Sequence, residues 1–302
     1  MRTAPLMKGE MIDLSHAPAS MPAHVPLIEL RDLRVVFPQK GGDIKAVRRV
    51  SISIAEQERV AILGESGCGK TMTAMSMLGL QPAEAKVTGR LSFRGRTVDM
   101  AASDDAAALV RNNAGAVFQD SLSSLNPTMR IGAQLVERLT LRRWDHKAAF
   151  AEAVRILQRV GVPDPQARMA AFPHELSGGM RQRVSLARTL SFEPRLLLMD
   201  EPFGALDSQT RELMQEEVQT IWLRTRQTVL LVTHDIDEAI YMADRVLVFS
   251  ARPGMVKREF SVGFERPRRP DIRKAPDYAA IRNEIWDLLR EEVMQARADR
   301  PS

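Results

Sequence analysis

The run Gly64-Glu65-Ser66-Gly67-Cys68-Gly69-Lys70-Thr71 is the most informative stretch of the chain. It has the pattern Gly-x-x-x-x-Gly-Lys-Thr, and it lies between an apolar run at 60–63, predicted to be a buried strand, and a predicted helix that begins at Lys70. Glycines let backbone N–H groups converge on phosphate oxygens, and the N-terminus of the helix adds positive potential. Lys70 is then expected to reach the β- and γ-phosphates of a nucleotide, and Thr71 to ligate Mg²⁺. The stretch therefore predicts a phosphate-binding loop.

Two other apolar runs end in side chains that suit phosphate chemistry. Residues 195–199 precede Asp200 and Glu201, and residues 228–233 precede His234. Such runs are typical of strands buried on both faces of a parallel sheet, whose carboxyl ends bind ligands. We expect Asp200 to hold Mg²⁺ through water, Glu201 to polarise the water that attacks the γ-phosphate, and His234 to sense that phosphate through a hydrogen bond. Without the upstream loop, solvated acids and a structural histidine would explain these residues better.

The segment Leu176-Ser177-Gly178-Gly179-Met180-Arg181-Gln182-Arg183 is the second decisive feature. Its serine and paired glycines precede a long predicted helix and form another potential backbone anion site. The residues alone support equally well a helix N-terminus capped by Ser177.

These motifs together resemble the ATP-binding-cassette (ABC) transporter ATPases, over roughly residues 27–254. Six motifs occur in the order of that family: the Walker A loop at 64–71, the Q-loop at Gln119, the signature at 176–182, Walker B at 196–201, the D-loop at 205–207 and the switch histidine at His234. Phe37 stands where the family places an aromatic residue that stacks on adenine, although a core phenylalanine would also explain it. The resemblance implies an α/β fold: a P-loop NTPase core with a mainly parallel sheet, an antiparallel β subdomain and an inserted α-helical subdomain.

The resemblance also implies cofactors and partners. ATP and Mg²⁺ would bind the Walker A loop, with Thr71, Gln119 and Asp200 around the metal and Glu201, His234 and Gln119 in catalytic roles. Two such domains would pack head to tail, so that one signature loop clamps the γ-phosphate bound by the other subunit; its contacting residues would be Ser177, Gly178, Gly179 and Gln182. Two permease subunits, one of them reached through the Q-loop, and a periplasmic or lipid-anchored solute-binding protein would complete a transporter. This chain would then lie at the cytoplasmic face of the inner membrane.

Pattern and composition predict the organisation of the chain. Residues 1–27 lack periodicity and are expected to be a disordered leader, 28–265 the nucleotide-binding domain with a mainly helical subdomain at about 104–189, and 266–302 a linker and C-terminal helix. The Arg- and Pro-rich run 266–270 is expected to be a solvated linker rather than a nucleic-acid site. The net charge of +5 is small beside 43 basic and 38 acidic residues. The single cysteine, Cys68, excludes an intrachain disulfide and suits a cytosolic chain.

Short motifs point to two groups of importers. Phe118-Gln119-Asp120, Ser124-Leu125-Asn126-Pro127 and Pro173-His174-Glu175 are similar to dipeptide, oligopeptide and nickel importer ATPases. The stretches at 201–207, 234–239 and 250–254 are similar to nitrate, sulfonate and taurine importer ATPases.

Two other function classes compete with transport. One is a soluble ABC ATPase that acts on nucleic acid or ribosomes, but its members carry long coiled coils or tandem cassettes. The other is a small-molecule kinase on the same phosphate loop, which leaves the signature run unexplained.

Overall fold

The computed structural model describes residues 26–102, 105, 108–110, 113–118 and 125–298. The strands are β1 Ile28–Phe37, β2 Ile44–Ile54, β3 Arg59–Leu63, β4 Lys86–Phe93, β5 Arg96–Asp99, β6 Ala114–Val117, β7 Leu196–Asp200, β8 Thr228–Thr233, β9 Arg245–Phe249 and β10 Val256–Ser261. The α-helices are α1 Lys70–Leu78, α2 Ile131–Thr140, α3 His146–Arg159, α4 Pro165–Arg168, α5 Gly178–Leu190, α6 Ser208–Thr225, α7 Ile236–Met242 and α8 Pro276–Ala298. Short 3₁₀ helices span Pro173–Glu175 and Pro270–Lys274.

The larger sheet has six strands in the order β10-β9-β3-β8-β7-β6, and only β10 pairs antiparallel with its neighbour. Strands β3, β7 and β8 are buried along their whole length, as their uninterrupted apolar sequences predict. The loops that follow these three strands carry the predicted phosphate loop, the acid pair and His234. The sheet therefore brings three separate sequence motifs to one edge.

The smaller sheet is antiparallel, with the order β2-β1-β4-β5, as the alternating sequence of its first strands predicts. Its first strand is continuous from Ile28 to Phe37, with irregular register near Leu33. Leu27, assigned to the leader from the sequence, is buried in the core of this sheet.

The interval 104–189, predicted to be mainly helical, also contains one short strand that the sequence does not indicate. Strand β6, with the sequence Ala-Gly-Ala-Val, pairs with β7 at the edge of the larger sheet. Helix α5 packs so closely on it that a Cβ at Gly115 would overlap the Thr189 side chain. Small residues make that contact possible, and they also remove the apolar bulk by which a strand is recognised in a sequence.

The run 266–270 is only partly solvated: Pro267, Arg269 and Pro270 are exposed, as expected of a linker, whereas Arg268 is buried. The Arg268 side chain is fully buried, and it donates hydrogen bonds to the carbonyl oxygens of Ile240 (2.7 Å), Ala243 (2.6 Å) and Val262 (3.1 Å). Burial, with Arg266 close by, lowers the pKa of Arg268 to about 9. These carbonyl groups replace the water that the guanidinium loses, so the segment fastens the C-terminal region to the core.

Helix α8 then packs against α7 through buried Ile285 and Tyr278, whose hydroxyl donates to the Asp237 carbonyl at 3.0 Å. Within the described ranges, no helix has the length and apolar character needed to cross a membrane.

Candidate nucleotide-binding site

The predicted phosphate loop connects β3 to α1, and Lys70 closes it. The Lys70 side chain is buried, and its Nζ donates to the carbonyl oxygens of Gly64 and Glu65, at 2.8 Å each. Gly69 has φ 101°, and a Cβ there would lie 2.6 Å from the Ala46 carbonyl oxygen. Only glycine fits this position, because both the left-handed backbone and the close approach of β2 exclude a side chain.

A cavity of about 510 Å³ lies over this loop. Seven of its lining residues belong to the predicted site: Phe37, Ser66, Gly67, Gly69, Lys70, Thr71 and Glu201. Phe37 is partly buried against the hydrophobic core and also lines the cavity. Its position is therefore compatible both with a core phenylalanine and with an aromatic side chain that stacks on adenine. The cavity combines an aromatic side chain at one part of its wall with a loop of backbone donors and a lysine, which suits a nucleotide.

Thr71 and Asp200 form the predicted metal site. The Thr71 hydroxyl donates to Asp200 Oδ1 at 3.1 Å. Burial raises the pKa of Asp200, the hydrogen bond from Thr71 opposes that rise, and the neighbouring Glu201 adds to it. A hydroxyl and a carboxylate side by side at the end of a strand are oxygen donors of the kind that Mg²⁺ binds, so the residues fit this metal.

Glu201 and His234 are brought together across β7 and β8. His234 Nδ1 lies 3.2 Å from Glu201 Oε2, and the side chains are 54% and 16% exposed. The Glu201 backbone adopts φ 46°, and its N–H donates to the Val232 carbonyl at 2.8 Å. This unusual backbone conformation directs a mostly buried carboxylate toward the cavity beside a more exposed imidazole.

The signature segment begins α5. Ser177 is the N-cap, and its hydroxyl accepts a hydrogen bond from the Met180 N–H at 3.3 Å. Ser177 and Gly178 are exposed, and nothing lies within 4 Å of a Cβ built on Gly178. Ser177 therefore caps the helix while the backbone at Gly178 stays accessible to an anion. The sequence presents the helix cap and the anion site as alternatives.

Gln182 is placed differently from the expectation. Its side chain is buried, and its amide donates to the Pro202 carbonyl of the same chain at 2.6 Å. In this structure Gln182 therefore joins α5 to the loop after Glu201. Direct contact with the nucleotide of another subunit would require an exposed side chain, and this one is buried. Gln119 lies outside the described residues.

The structure adds two arginines to which the sequence assigns no role in the site. Arg252, within the 250–254 run, lines the cavity and donates from Nε to the Gly67 carbonyl at 3.3 Å. Arg211 donates to the Leu206 carbonyl at 3.0 Å and lies 3.7 Å from Asp235, so it connects the predicted D-loop to the loop of His234. Neither role has a local sequence signal, because each arginine is remote in sequence from one or both of its partners.

Cys68 is buried, with 2% of its surface exposed, and burial raises the pKa of its thiol. Because the thiolate is the reactive form, we expect a bulky maleimide at pH 7.5 to modify native Cys68 at least about tenfold more slowly than the denatured chain. The rate should rise with pH toward the elevated pKa, as followed by intact mass. The sequence alone suggests that such reagents block ATP binding if the thiol is accessible. Equal rates for native and denatured protein would contradict the burial.

Comparison with known proteins places this geometry in a family. The profile of the family described as "ABC transporter" matches residues 47–204. The oligopeptide transport ATP-binding protein OppD of Salmonella typhimurium is 37% identical over 253 residues, 83% of this chain and 75% of that protein. The nitrate import ATP-binding protein NrtD of Synechocystis sp. is 36% identical over 269 residues, 87% of this chain and 95% of NrtD.

A solved structure of similar fold is the dimeric post-hydrolysis state of the ATP-binding cassette MJ0796 bound to ADP and Pi. Its TM-score is 0.66 and its sequence identity 27%, and the superposition covers 78% of this chain and all of that one. The mainly parallel P-loop core and the antiparallel subdomain are thus those of an ABC ATPase cassette. The chain belongs to the ABC transporter family of ATP-binding proteins.

Proposed function

We propose that this chain hydrolyses ATP and thereby energises an ABC importer that moves a small solute across the inner membrane. The observation that carries the proposal is the convergence of Lys70, Thr71, Asp200, Glu201 and His234 at one edge of the larger sheet. A cation, a pair of oxygen ligands and a carboxylate beside an imidazole are the groups that hydrolysis of a phosphoanhydride requires.

In this proposal the phosphate loop and Lys70 hold the β- and γ-phosphates. Glu201 accepts a hydrogen bond from the attacking water, orients its lone pair toward the γ-phosphorus and takes the proton that the water loses. The new P–O bond forms as the bond to the bridging β,γ oxygen breaks, which leaves ADP and inorganic phosphate. His234, beside the Glu201 carboxylate, donates a hydrogen bond to a γ-phosphate oxygen. Bound Mg²⁺ would be held by Thr71 and Asp200 and would neutralise charge on the phosphate oxygens.

The segment Ser177-Gly178-Gly179, in which Ser177 and Gly178 are exposed, supports a shared site. The backbone N–H groups at this helix start are open to a ligand, but the segment is not among the residues that line the cavity of its own chain. It is therefore proposed to close over the nucleotide of a second ATP-binding subunit. ATP would then favour the closed dimer, and its hydrolysis would release it. That cycle would drive two permease subunits supplied with solute by a periplasmic or lipid-anchored binding protein.

Two solute classes remain in the proposal, each with its own support. The motifs at 201–207, 234–239 and 250–254 and the similarity to NrtD favour the nitrate, sulfonate and taurine type. The motifs near 118–127 and 173–175 and the similarity to OppD favour the peptide and nickel type. Binding of nitrate, taurine and a dipeptide to the solute-binding protein of the transporter would distinguish the two classes.

The enzymatic part is tested by release of phosphate from MgATP by the purified chain without any added acceptor. We expect steady release that depends on Mg²⁺. Release that requires a small-molecule acceptor, with the phosphate transferred to it, would instead support the kinase.

The transport part is tested with the complex purified in detergent and reconstituted in vesicles. We expect a hydrophobic permease to accompany the chain and ATP to drive solute from the side of the binding protein toward this subunit. Outward movement only would overturn import, and co-purification of rRNA or DNA in place of a permease would support the nucleic-acid alternative.

A further inference from the structure

We propose that Arg252 is a nucleotide-binding residue whose guanidinium group contacts a phosphate of the nucleotide held by the loop 64–71. The inference rests on the proposed function, because it assigns a further contact to the same cavity. Arg252 lies about 180 residues from that loop in the sequence and belongs to none of the six motifs.

The position of the side chain is the first argument. Arg252 lines the cavity with Phe37, Lys70 and Thr71, and its Nε donates to the Gly67 carbonyl at 3.3 Å. Arg252 Nη2 lies so near the same residue that a Cβ on Gly67 would be 3.4 Å from it. The guanidinium therefore lies against the middle of the phosphate loop.

The charge of the side chain is the second argument. Within the described part of the chain, no carboxylate lies within ion-pair distance of Arg252, whereas Arg245 and Arg266 near the same sheet each pair with an acid. The single hydrogen bond from Nε leaves the Nη1 and Nη2 donors without a partner among the described residues. A planar fork with free donors beside a phosphate loop suits a phosphate group, which guanidinium binds in bidentate fashion.

The backbone around Arg252 is fixed to the nucleotide site, which is the third argument. The Gly254 N–H donates to Ala46 O at 3.0 Å and the Arg48 N–H to Gly254 O at 2.9 Å, which ties the turn to β2. A Cβ on Gly254 would overlap the Cys68 carbonyl of the phosphate loop itself. A turn packed this closely holds the backbone of Arg252 in place before the nucleotide arrives, while its side chain stays exposed.

The same turn is fastened from two further sides. Within it, the Ser250 hydroxyl donates to Pro253 O at 2.9 Å and accepts from the Met255 N–H at 3.0 Å. From helix α8, buried Glu292 accepts from the Ala251 N–H at 3.3 Å and pairs with Lys257 at 2.8 Å. The residue immediately before Arg252 is therefore held by the C-terminal helix, which gives that helix a physical connection to the cavity.

The test is the affinity of the purified full chain for MgATP and MgADP, measured by isothermal titration calorimetry. We expect Arg252→Ala and Arg252→Gln to weaken both nucleotides by roughly tenfold or more, because a charge-assisted contact to phosphate is lost. Arg96→Ala is the matched control: Arg96 is an exposed arginine on β5, at the opposite edge of the smaller sheet from β2. It should bind as the wild type does. The wild-type dependence of affinity on salt should also become shallower in both Arg252 variants.

The possible results separate this inference from the proposed function. Wild-type protein that binds neither nucleotide would overturn the proposed function itself. Wild-type binding with unchanged affinity in Arg252→Gln, or an equal loss in Arg96→Ala, would overturn only the role of Arg252. Slower hydrolysis by both Arg252 variants at unchanged affinity would also overturn it. Arg252→Gln keeps most of the side-chain length and so gives the answer if Arg252→Ala does not fold.

Discussion

Glu201→Gln is expected to reduce phosphate release by about 100-fold or more while MgATP affinity stays close to that of the wild type. Glutamine preserves the shape of the side chain and its place near His234, which lies 3.2 Å from the carboxylate. It cannot accept a proton from water, and its amide orients a water molecule differently. The loss therefore falls on the chemical step and not on binding.

The same variant should accumulate a closed dimer in MgATP, which size-exclusion chromatography coupled to light scattering would detect. Glu84→Gln removes an exposed carboxylate in the turn before β4 and should hydrolyse ATP at the wild-type rate. Normal turnover by Glu201→Gln would remove Glu201 from its proposed role.

The sequence predicts which motifs meet at one edge of the sheet because each motif is local. A phosphate loop, an acid pair and a histidine each follow a short apolar run, and burial on both faces of a parallel sheet makes such runs recognisable. Since the carboxyl ends of parallel strands meet at one edge, the contacts between Thr71 and Asp200 and between Glu201 and His234 follow from the fold class. The confirmed fold thus supports these juxtapositions, while their chemical roles remain proposals.

The features that the sequence does not indicate have a different physical origin, since each depends on packing between segments remote in sequence. Strand β6 is composed of small residues because α5 lies against it, and small residues carry no strand signal. Arg268 occurs in a Pro- and Arg-rich run that has the composition of a solvated linker, yet backbone carbonyls from other elements surround it. Gln182 is buried because the Pro202 carbonyl happens to face it. Composition and periodicity cannot report such neighbours.

The connection of the C-terminal helix to the nucleotide cavity belongs to the same class. Glu292 reaches the backbone beside Arg252, and Arg252 reaches Gly67, so three segments far apart in the sequence meet at the phosphate loop. No short motif contains more than one of these three segments. The structure instead indicates that this helix is part of the framework of the site.

Lys70→Ala is expected to weaken MgATP binding by about 100-fold, because the principal charge-assisted contact to the phosphates is lost. The Lys70 ammonium has three donors, of which two are occupied by the Gly64 and Glu65 carbonyl oxygens at 2.8 Å. The third is free for a phosphate oxygen, so one side chain both shapes the loop and binds the ligand. Hydrolysis at ordinary ATP concentrations should then fail at the binding step, unlike in Glu201→Gln.

Lys70→Met separates the two tasks of this lysine. Methionine fills the apolar space of the buried stem without donating, so an equal loss of affinity in both variants would assign the effect to the ammonium group. In both variants the loop carbonyls also lose their donor, and hydrogen exchange at the backbone amides of residues 65–69 should therefore quicken in the absence of nucleotide. Lys86→Ala, an exposed lysine at the start of β4, is the control and should change neither measurement. Wild-type affinity in Lys70→Met would show that the ammonium does not contact the phosphates, and slow loop exchange with weakened binding would show that it binds ATP without shaping the loop.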